Sequence, residues 1–202
     1  MINIQGKLPR DISVACSGGA DSMAVLDFLR RKHTVSAIFC HHGTETSNDA
    51  LKVVEGYCGE HDIPLNVHYI TNTKKPKEKS QEEYWRDFRY GVFTGEHQNE
   101  TVVTAHHVGD CVETWIWSSM HGCGKIIPYR RENVIRPFRL TKKKYFYRWC
   151  QLHLVPYIED KSNSDTKYTR NYIRHVMMPH VLQVNPGIEK TILKKILRED
   201  VQ

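Results

Sequence analysis

The chain has 202 residues, 40% of them hydrophobic and 26% charged, which suits one soluble core with room for a small appendage. No apolar run approaches the roughly 20 residues of a membrane span. The opening Met1-Ile2-Asn3-Ile4-Gln5 lacks the charged and apolar regions of a secretion signal, so a cytoplasmic protein with no membrane partner is expected. Lys and Arg outnumber Asp and Glu by 29 to 23, a net charge of +6. Clusters at Lys74-Lys75-Pro76-Lys77, Arg130-Arg131, Lys142-Lys143-Lys144 and Lys194-Lys195 favour a polyanion such as nucleic acid, although each cluster taken singly reads better as a solvated face. The six cysteines include no Cys-x-x-Cys pair and read as reduced core or strand residues.

In chain order, residues 11–16 read as a strand and 21–32 as a helix carrying Met23, Leu26, Phe28 and Leu29. A second strand over 35–40 alternates too weakly to have a wet face, so burial on both sides is expected. Ser47 or Asn48 can cap a helix to about residue 60, and 65–70 is a third strand. A lysine-rich loop over 71–79 leads to Ser80 and Glu83, a capping box for a helix to about residue 94. Residues 101–105 form the fourth strand, 109–120 a helix and 134–138 a short fifth strand. From about Leu140 the pattern is helical, punctuated by Pro156, Pro179 and Pro186. Strands separated by helices predict an α/β fold, a doubly wound parallel five-stranded sheet of Rossmann type, over residues 1–139, with a small helical C-terminal appendage over 140–202. In a 3-2-1-4-5 order the first and fourth strands are neighbours, and the loops after them open onto one crevice.

The loop after the first strand is Ser17-Gly18-Gly19-Ala20-Asp21-Ser22. Adjacent glycines let successive backbone N–H groups turn toward one anion, and the helix that follows adds the positive end of its dipole. The loop lacks the Gly-Lys-Ser/Thr ending of a Walker A motif. It is similar instead to the pyrophosphate loop of the N-type ATP pyrophosphatases, which split ATP between its α and β phosphates.

After the fourth strand, His106-His107-Val108-Gly109-Asp110-Cys111-Val112-Glu113-Thr114 puts Asp110, Glu113 and Thr114 on one helical face, where carboxylates can hold Mg²⁺ or an ammonium group, or simply complement the helix dipole. Adjacent His106 and His107 diverge and lie at no chelating spacing, so no metal held by protein ligands is expected. On the third helix Arg86, Arg89 and Tyr90 share a face; arginine there suits phosphate or carboxylate, while Arg86 can also pair with Glu82. Arg136 ends the fifth strand. Late in the chain Asp165 reads as an N-cap, with Arg170 and Arg174 one turn apart on the helix it opens.

These segments in order resemble the tRNA(Ile)-lysidine synthetase family over roughly residues 10–185. The shared patterns are Ser-Gly-Gly-x-Asp-Ser, His-His-Gly at His41 to Gly43, Glu-x-x-x-Arg-x-x-Arg-Tyr at Glu82 to Tyr90, Ile-Arg-Pro at Ile135 to Pro137, and a late signature matched at every specified position from Glu159 to Arg174. The resemblance implies that ATP adenylates the C2 oxygen of cytidine 34 in a tRNA(Ile) bearing CAU. Free L-lysine then displaces AMP, with ATP and Mg²⁺ as cofactors; the oligomeric state is not given by the sequence, a homodimer being one option open to it.

It assigns Ser17, Gly18, Gly19, Ala20, Asp21, Ser22, His42 and Arg136 to ATP, with Asp21 beside the Mg²⁺. Asp110, Glu113, His106, Asp21 and Arg89 take catalytic roles; Arg86, Arg170, Asn171 and Arg174 hold the tRNA substrate. A lysine amine of pKa about 10.4 must lose its proton to attack, at a cost of about 4.6 kcal/mol at pH 7. A carboxylate of ordinary pKa, about 3.9, is a poor base for that proton, so Asp110 is expected to place the ammonium group. The family's pattern is broken at Gly109, where it carries Asp, and at His121, where it carries Arg. The alternatives are another N-type pyrophosphatase acting on tRNA, through thiolation or a different amine, and a silent tRNA- or nucleotide-binding module.

Overall fold

A computed structural model describes residues 1–71, 75–159 and 165–199. Lys74 of the first basic cluster and residues 160–164 of the late signature lie outside the described residues. The expected alternation is present: β1 (Asp11–Ala15), α1 (Ala20–Arg30), β2 (Thr34–His41), α2 (Glu45–Glu60), β3 (Leu65–Tyr69), α3 (Gln81–Thr94), β4 (Val102–Val103) and α4 (Val108–Met120). The strands order as β3-β2-β1-β4-β6-β5, where β5 is Arg130–Arg131 and β6 is Val134–Ile135. All neighbours are parallel except β5 and β6.

The sheet therefore has six strands among the described residues, where five were expected. The extra edge strand is two exposed arginines joined to β6 by a tight turn with Glu132 at φ 57°. Nothing apolar marks such a strand in the sequence.

Side-chain alternation on β2 decides the layering. Ala37 and Phe39 enter one core with α1 and α2; Ile38 and Cys40 enter another with Phe88, Val92 and Phe93 of α3. The weak alternation of this strand thus reflects two covered faces. Thr44, not Ser47 or Asn48, caps α2: its hydroxyl accepts the Ser47 N–H at 3.1 Å, and Asn48 instead pairs with His41.

Helix α5 (Lys143–His153) packs on α1 and buries Phe146 and Cys150 in the first core. This is why Met23, Ala24, Val25 and Leu26 are all fully buried: α1 is covered by the sheet on one side and by α5 on the other. The later helices are α6 (Thr169–Tyr172), a π-helical turn over Ile173–Met177, α7 (Met178–Val184) and α8 (Ile188–Glu199). They make a separate core in which Ile173, Ile188, Ile192 and Ile196 meet Cys111, Val112 and Ile116 of α4.

Asp27 fastens the first layer. Its buried carboxylate accepts from Tyr57 Oη at 2.6 Å, Trp149 Nε1 at 2.8 Å and Arg31 Nη2 at 2.9 Å, tying α1 to α2 and α5. Burial opposes its charge, but the Tyr57, Trp149 and Arg31 bonds outweigh it and hold the carboxyl below its ordinary range. Asp27→Ala should cost about 2–4 kcal/mol, because the phenol and indole donors are left without an acceptor. Differential scanning calorimetry should show this as a Tm lower by roughly 4–16 °C. Since the folded-state pKa lies below the unfolded value, the carboxylate's contribution is complete above the unfolded pKa and is lost as pH falls through the folded one. On acidification the wild type should therefore lose stability more steeply than the Asp27→Ala chain.

Candidate active site

Strand order reverses between β1 and β4, and the loops leaving both strands line one cleft of about 950 Å³. From the first come Ser17, Gly19, Ala20, Asp21 and Ser22; from the second, Thr104, Ala105, His106 and Asp110. The two are in contact, with His107 Nε2 3.8 Å from Asp21 Oδ2.

The glycine loop is shaped by its own side chains. Ser22 Oγ accepts the Ser17 N–H at 3.0 Å and donates to the Gly19 carbonyl at 3.0 Å. Gly18 has φ +78°, and a Cβ there would sit 3.0 Å from Cβ and the carbonyl oxygen of Ala50 on α2. Gly18 is thus required by conformation and by close approach, and it does not itself face the cleft. Its carbonyl accepts the Ile158 N–H at 2.9 Å, which brings Glu159 to the rim. Gly19 caps α1 with no side-chain bond to the first-turn N–H groups, the arrangement an anion would complete.

His107 and Asp110 form a reciprocal cap on α4. The Asp110 N–H donates to His107 Nδ1 at 3.2 Å, and the His107 N–H donates to Asp110 Oδ2 at 2.9 Å. A Cβ at Gly109 would come 2.8 Å from Cε1 and 3.0 Å from Nδ1 of the His107 ring. The departure at Gly109 is therefore matched by an imidazole folded back over it.

Burial opposes the Asp110 charge, but His107, Arg170, His106 and the His107 N–H together hold this carboxyl well below the ordinary range. Burial raises Asp21, against the pull of His107, Lys143 and Arg174, and its buried Oδ1 has no hydrogen-bond partner among the described residues. Two carboxyls on facing loops are thus pushed in opposite directions.

Helix α3 supplies the cationic wall. Arg86 leaves Glu82 and lies over the Tyr90 ring at 5.1 Å, with Arg131 at 5.4 Å and Arg136 at 5.9 Å from the same ring. Arg89 reaches His42 Nε2 at 3.5 Å. Burial lowers the pKa of both Arg86 and Arg89, and neighbouring guanidiniums, Arg170 among them, add to it. His42 stacks on Trp85 at 5.1 Å and 25°; burial and Arg89 push its pKa down to about 4, so it is neutral at pH 7. Burial, with Arg170, Arg136 and Arg86, likewise brings His106 to about 3, while its Nδ1 contacts Thr104 Oγ1 at 2.8 Å.

Four expected site residues stand outside the cleft lining. Arg136 is buried behind the Tyr90 ring, donating to Tyr90 Oη at 2.6 Å and to the Pro128 carbonyl at 3.0 Å. Glu113 lies beneath Arg174, accepting from its Nε at 2.7 Å and its Nη2 at 3.0 Å. Asn171 is buried and donates to the Asp165 carbonyl at 3.0 Å. Gly18 acts through its backbone, as above. Asp165 is also no N-cap: it turns back on the Lys167 N–H at 3.1 Å, and Tyr168 precedes α6.

The cleft adds Trp85, Lys143, Tyr147 and Tyr168, which the sequence reading did not single out. Lys143 was legible only as one of three consecutive lysines. Trp85 carries no charge or spacing signal of its own in the sequence.

Residues 3–181 match the family described as PP-loop domain, and the chain belongs to that family. Among curated relatives it is 31% identical over 200 residues to a tRNA(Ile)-lysidine synthase of Thermotoga sp. (strain RQ2), which it covers to 48% with 92% of its own length. It is 33% identical over 201 residues to the enzyme of the same name from Porphyromonas gingivalis (strain ATCC 33277), with 92% of this chain and 44% of that protein covered. The chain spans about half the length of these relatives. Among solved structures, the U34-tRNA thiolase NcsA of Methanococcus maripaludis with its [4Fe-4S] cluster shares the fold, with a TM-score of 0.72 at 12% identity over 96% of this chain and 72% of that one. No helix among the described residues is long and apolar enough to cross a membrane.

Alanine ordinarily stabilises a helix relative to glycine by about 1 kcal/mol. Gly109→Ala should do the opposite, losing about 1–3 kcal/mol as the new methyl displaces the His107 ring and opens the cap. A lower Tm together with weaker ATP binding by calorimetry is the expected result. A Tm at or above the wild-type value would show that the ring accommodates the methyl.

Proposed function

We propose that this chain is an ATP-dependent ligase that joins lysine to C2 of cytidine 34 in a tRNA(Ile) bearing the CAU anticodon, releasing AMP and pyrophosphate. One observation carries the proposal: the glycine loop and the Asp110 carboxylate face each other across one cleft, which also holds Arg86, Arg89, Arg170 and Arg174. Names borne by relatives of twice the length support the same reaction.

The residues divide the work by charge. Ser17, the first-turn N–H groups after Gly19, which no side chain caps, and Ser22 fit the ATP phosphates; Asp21, with an oxygen unpartnered among the described residues, fits the accompanying Mg²⁺, which would offset phosphate charge. Arg86, Arg89 and Arg170 are crowded guanidiniums that gain a counter-charge when a phosphate enters. Asp110 stays ionised and takes the lysine ammonium, the role expected of it. His106 and His42 stay neutral, so neither adds to the positive charge facing that amine. Glu113 is a positioning residue that acts by fixing Arg174.

The test incubates the full chain with ATP, labelled lysine and a CAU-bearing tRNA transcript. The expected outcome is RNA-dependent ATP/pyrophosphate exchange and label in the RNA, lost when cytidine 34 becomes uridine. Asp110→Asn should keep exchange within a few-fold and lose lysine transfer by at least ~100-fold, the scale of a removed charged contact to a reacting group. Absence of RNA-dependent exchange in the wild type would overturn the proposal. Normal lysine transfer by Asp110→Asn would overturn the role of that carboxylate.

A further inference from the structure

Helix α5 contributes to two concavities. Lys143 and Tyr147 line the cleft, while Lys144, Tyr145, Tyr147, Arg148, Gln151 and Leu152 line an open groove of about 840 Å³. Tyr147 belongs to both. The buried side of α5 is Phe146 and Cys150; Lys144, Arg148, Gln151 and Leu152 recur at i, i+4, i+7 and i+8, one exposed stripe.

The charges on this stripe are placed against local electrostatics. Lys142, Lys143 and Lys144 crowd the N-terminal end of α5, where the helix dipole favours anions, and the first turn has no acidic residue and no side-chain cap. Lys142 is offset by Glu189 at 2.7 Å. Lys144 and Arg148 have no carboxylate partner among the described residues. Lys143 and Lys144 instead lie over the rings of Tyr147 and Tyr145, at 5.6 and 5.5 Å. Beyond them Leu152 is 66% and Leu154 88% exposed, so apolar surface continues the groove.

Cations without a carboxylate partner among the described residues, followed by exposed Leu152 and Leu154, match a strand of phosphates and bases: Lys144 and Arg148 meet the backbone, and the leucines with the tyrosine edges beside them give bases apolar contact. Continuity through Tyr147 joins this surface to the cleft where a single nucleotide would react. The geometry points to the outer face of α5 as the surface that receives an RNA strand and leads its reactive nucleotide into the cleft. This inference rests on the proposed reading that the substrate is RNA.

The test is fluorescence anisotropy of a labelled anticodon stem-loop RNA bearing CAU, titrated with the full chain from about 50 to 300 mM KCl. The double variant Lys144→Gln/Arg148→Gln should bind about tenfold more weakly, with a log K against log salt slope shallower by ~1.5, as expected for two lost phosphate contacts. Glutamine is a good helix former at exposed positions, and an unchanged Tm verifies the fold. Arg148→Lys, which keeps the charge, should retain the wild-type slope. A double variant with wild-type affinity and slope would overturn the inference and leave the face to an acidic protein partner. A wild type that binds no RNA overturns the RNA reading along with it, whereas the exchange assay tests that reading independently of α5.

Discussion

The site depends on the junction made by His107. Its ring lies between the two loops, accepting the Asp110 N–H on one nitrogen and approaching Asp21 at 3.8 Å with the other. The loops leave β1 and β4, strands that pair through Ser13 with Val102 and Val14 with Val103. Their exits are therefore set side by side before any ligand arrives. Gly109 gives the ring its space, and α4 begins from the cap that the ring completes.

Around that junction the charge is uneven in a way that suits chemistry on phosphates. Arg86, Arg89, Arg170 and Arg174 face only a few acids among the described cleft residues; burial chiefly lowers the pKa of Arg86 and Arg89, and the neighbouring Arg170 lowers both further. The exception is Arg174, whose charge is matched twice, by Glu113 directly and by Asp110 at 3.8 Å. Burial dominates the histidines, so His42 and His106 contribute shape and hydrogen bonding but no charge at pH 7. A low-dielectric cleft with an excess of fixed cations strengthens every contact to an entering anion.

The helical C-terminal part is attached at two levels. α5 is part of the first core, sealing α1 and meeting Asp27 through Trp149. The helices from Thr169 onward pack on α4 through a separate cluster of isoleucines, and that packing carries Arg170 and Arg174 to the cleft. A π-helical turn over Ile173–Met177 follows α6 and contains Arg174, which alters the helical phase just where the Glu113 pair is made.

Several features were legible because they are local. The glycine loop, the apolar strands β1 and β2, the Ser80 cap of α3 and the face shared by Arg86, Arg89 and Tyr90 follow from propensity and periodicity in neighbouring residues. The edge strand β5 was not legible, since two exposed arginines carry no strand signal and their pairing comes from the turn at Glu132. Nor did spacing tell which acid faces the cleft. Asp110 and Glu113 share a helical face, yet one lines the cavity and the other lies under an arginine 61 residues later. The sequence alone thus determined the alternation of elements, the glycine loop and the residue types available beside it, because these depend on contacts within a few residues. Only the tertiary structure decided which side chains meet: Arg136 behind Tyr90, Glu113 beneath Arg174 and Lys143 over the cleft. Those positions follow from packing between distant segments, which periodicity does not encode.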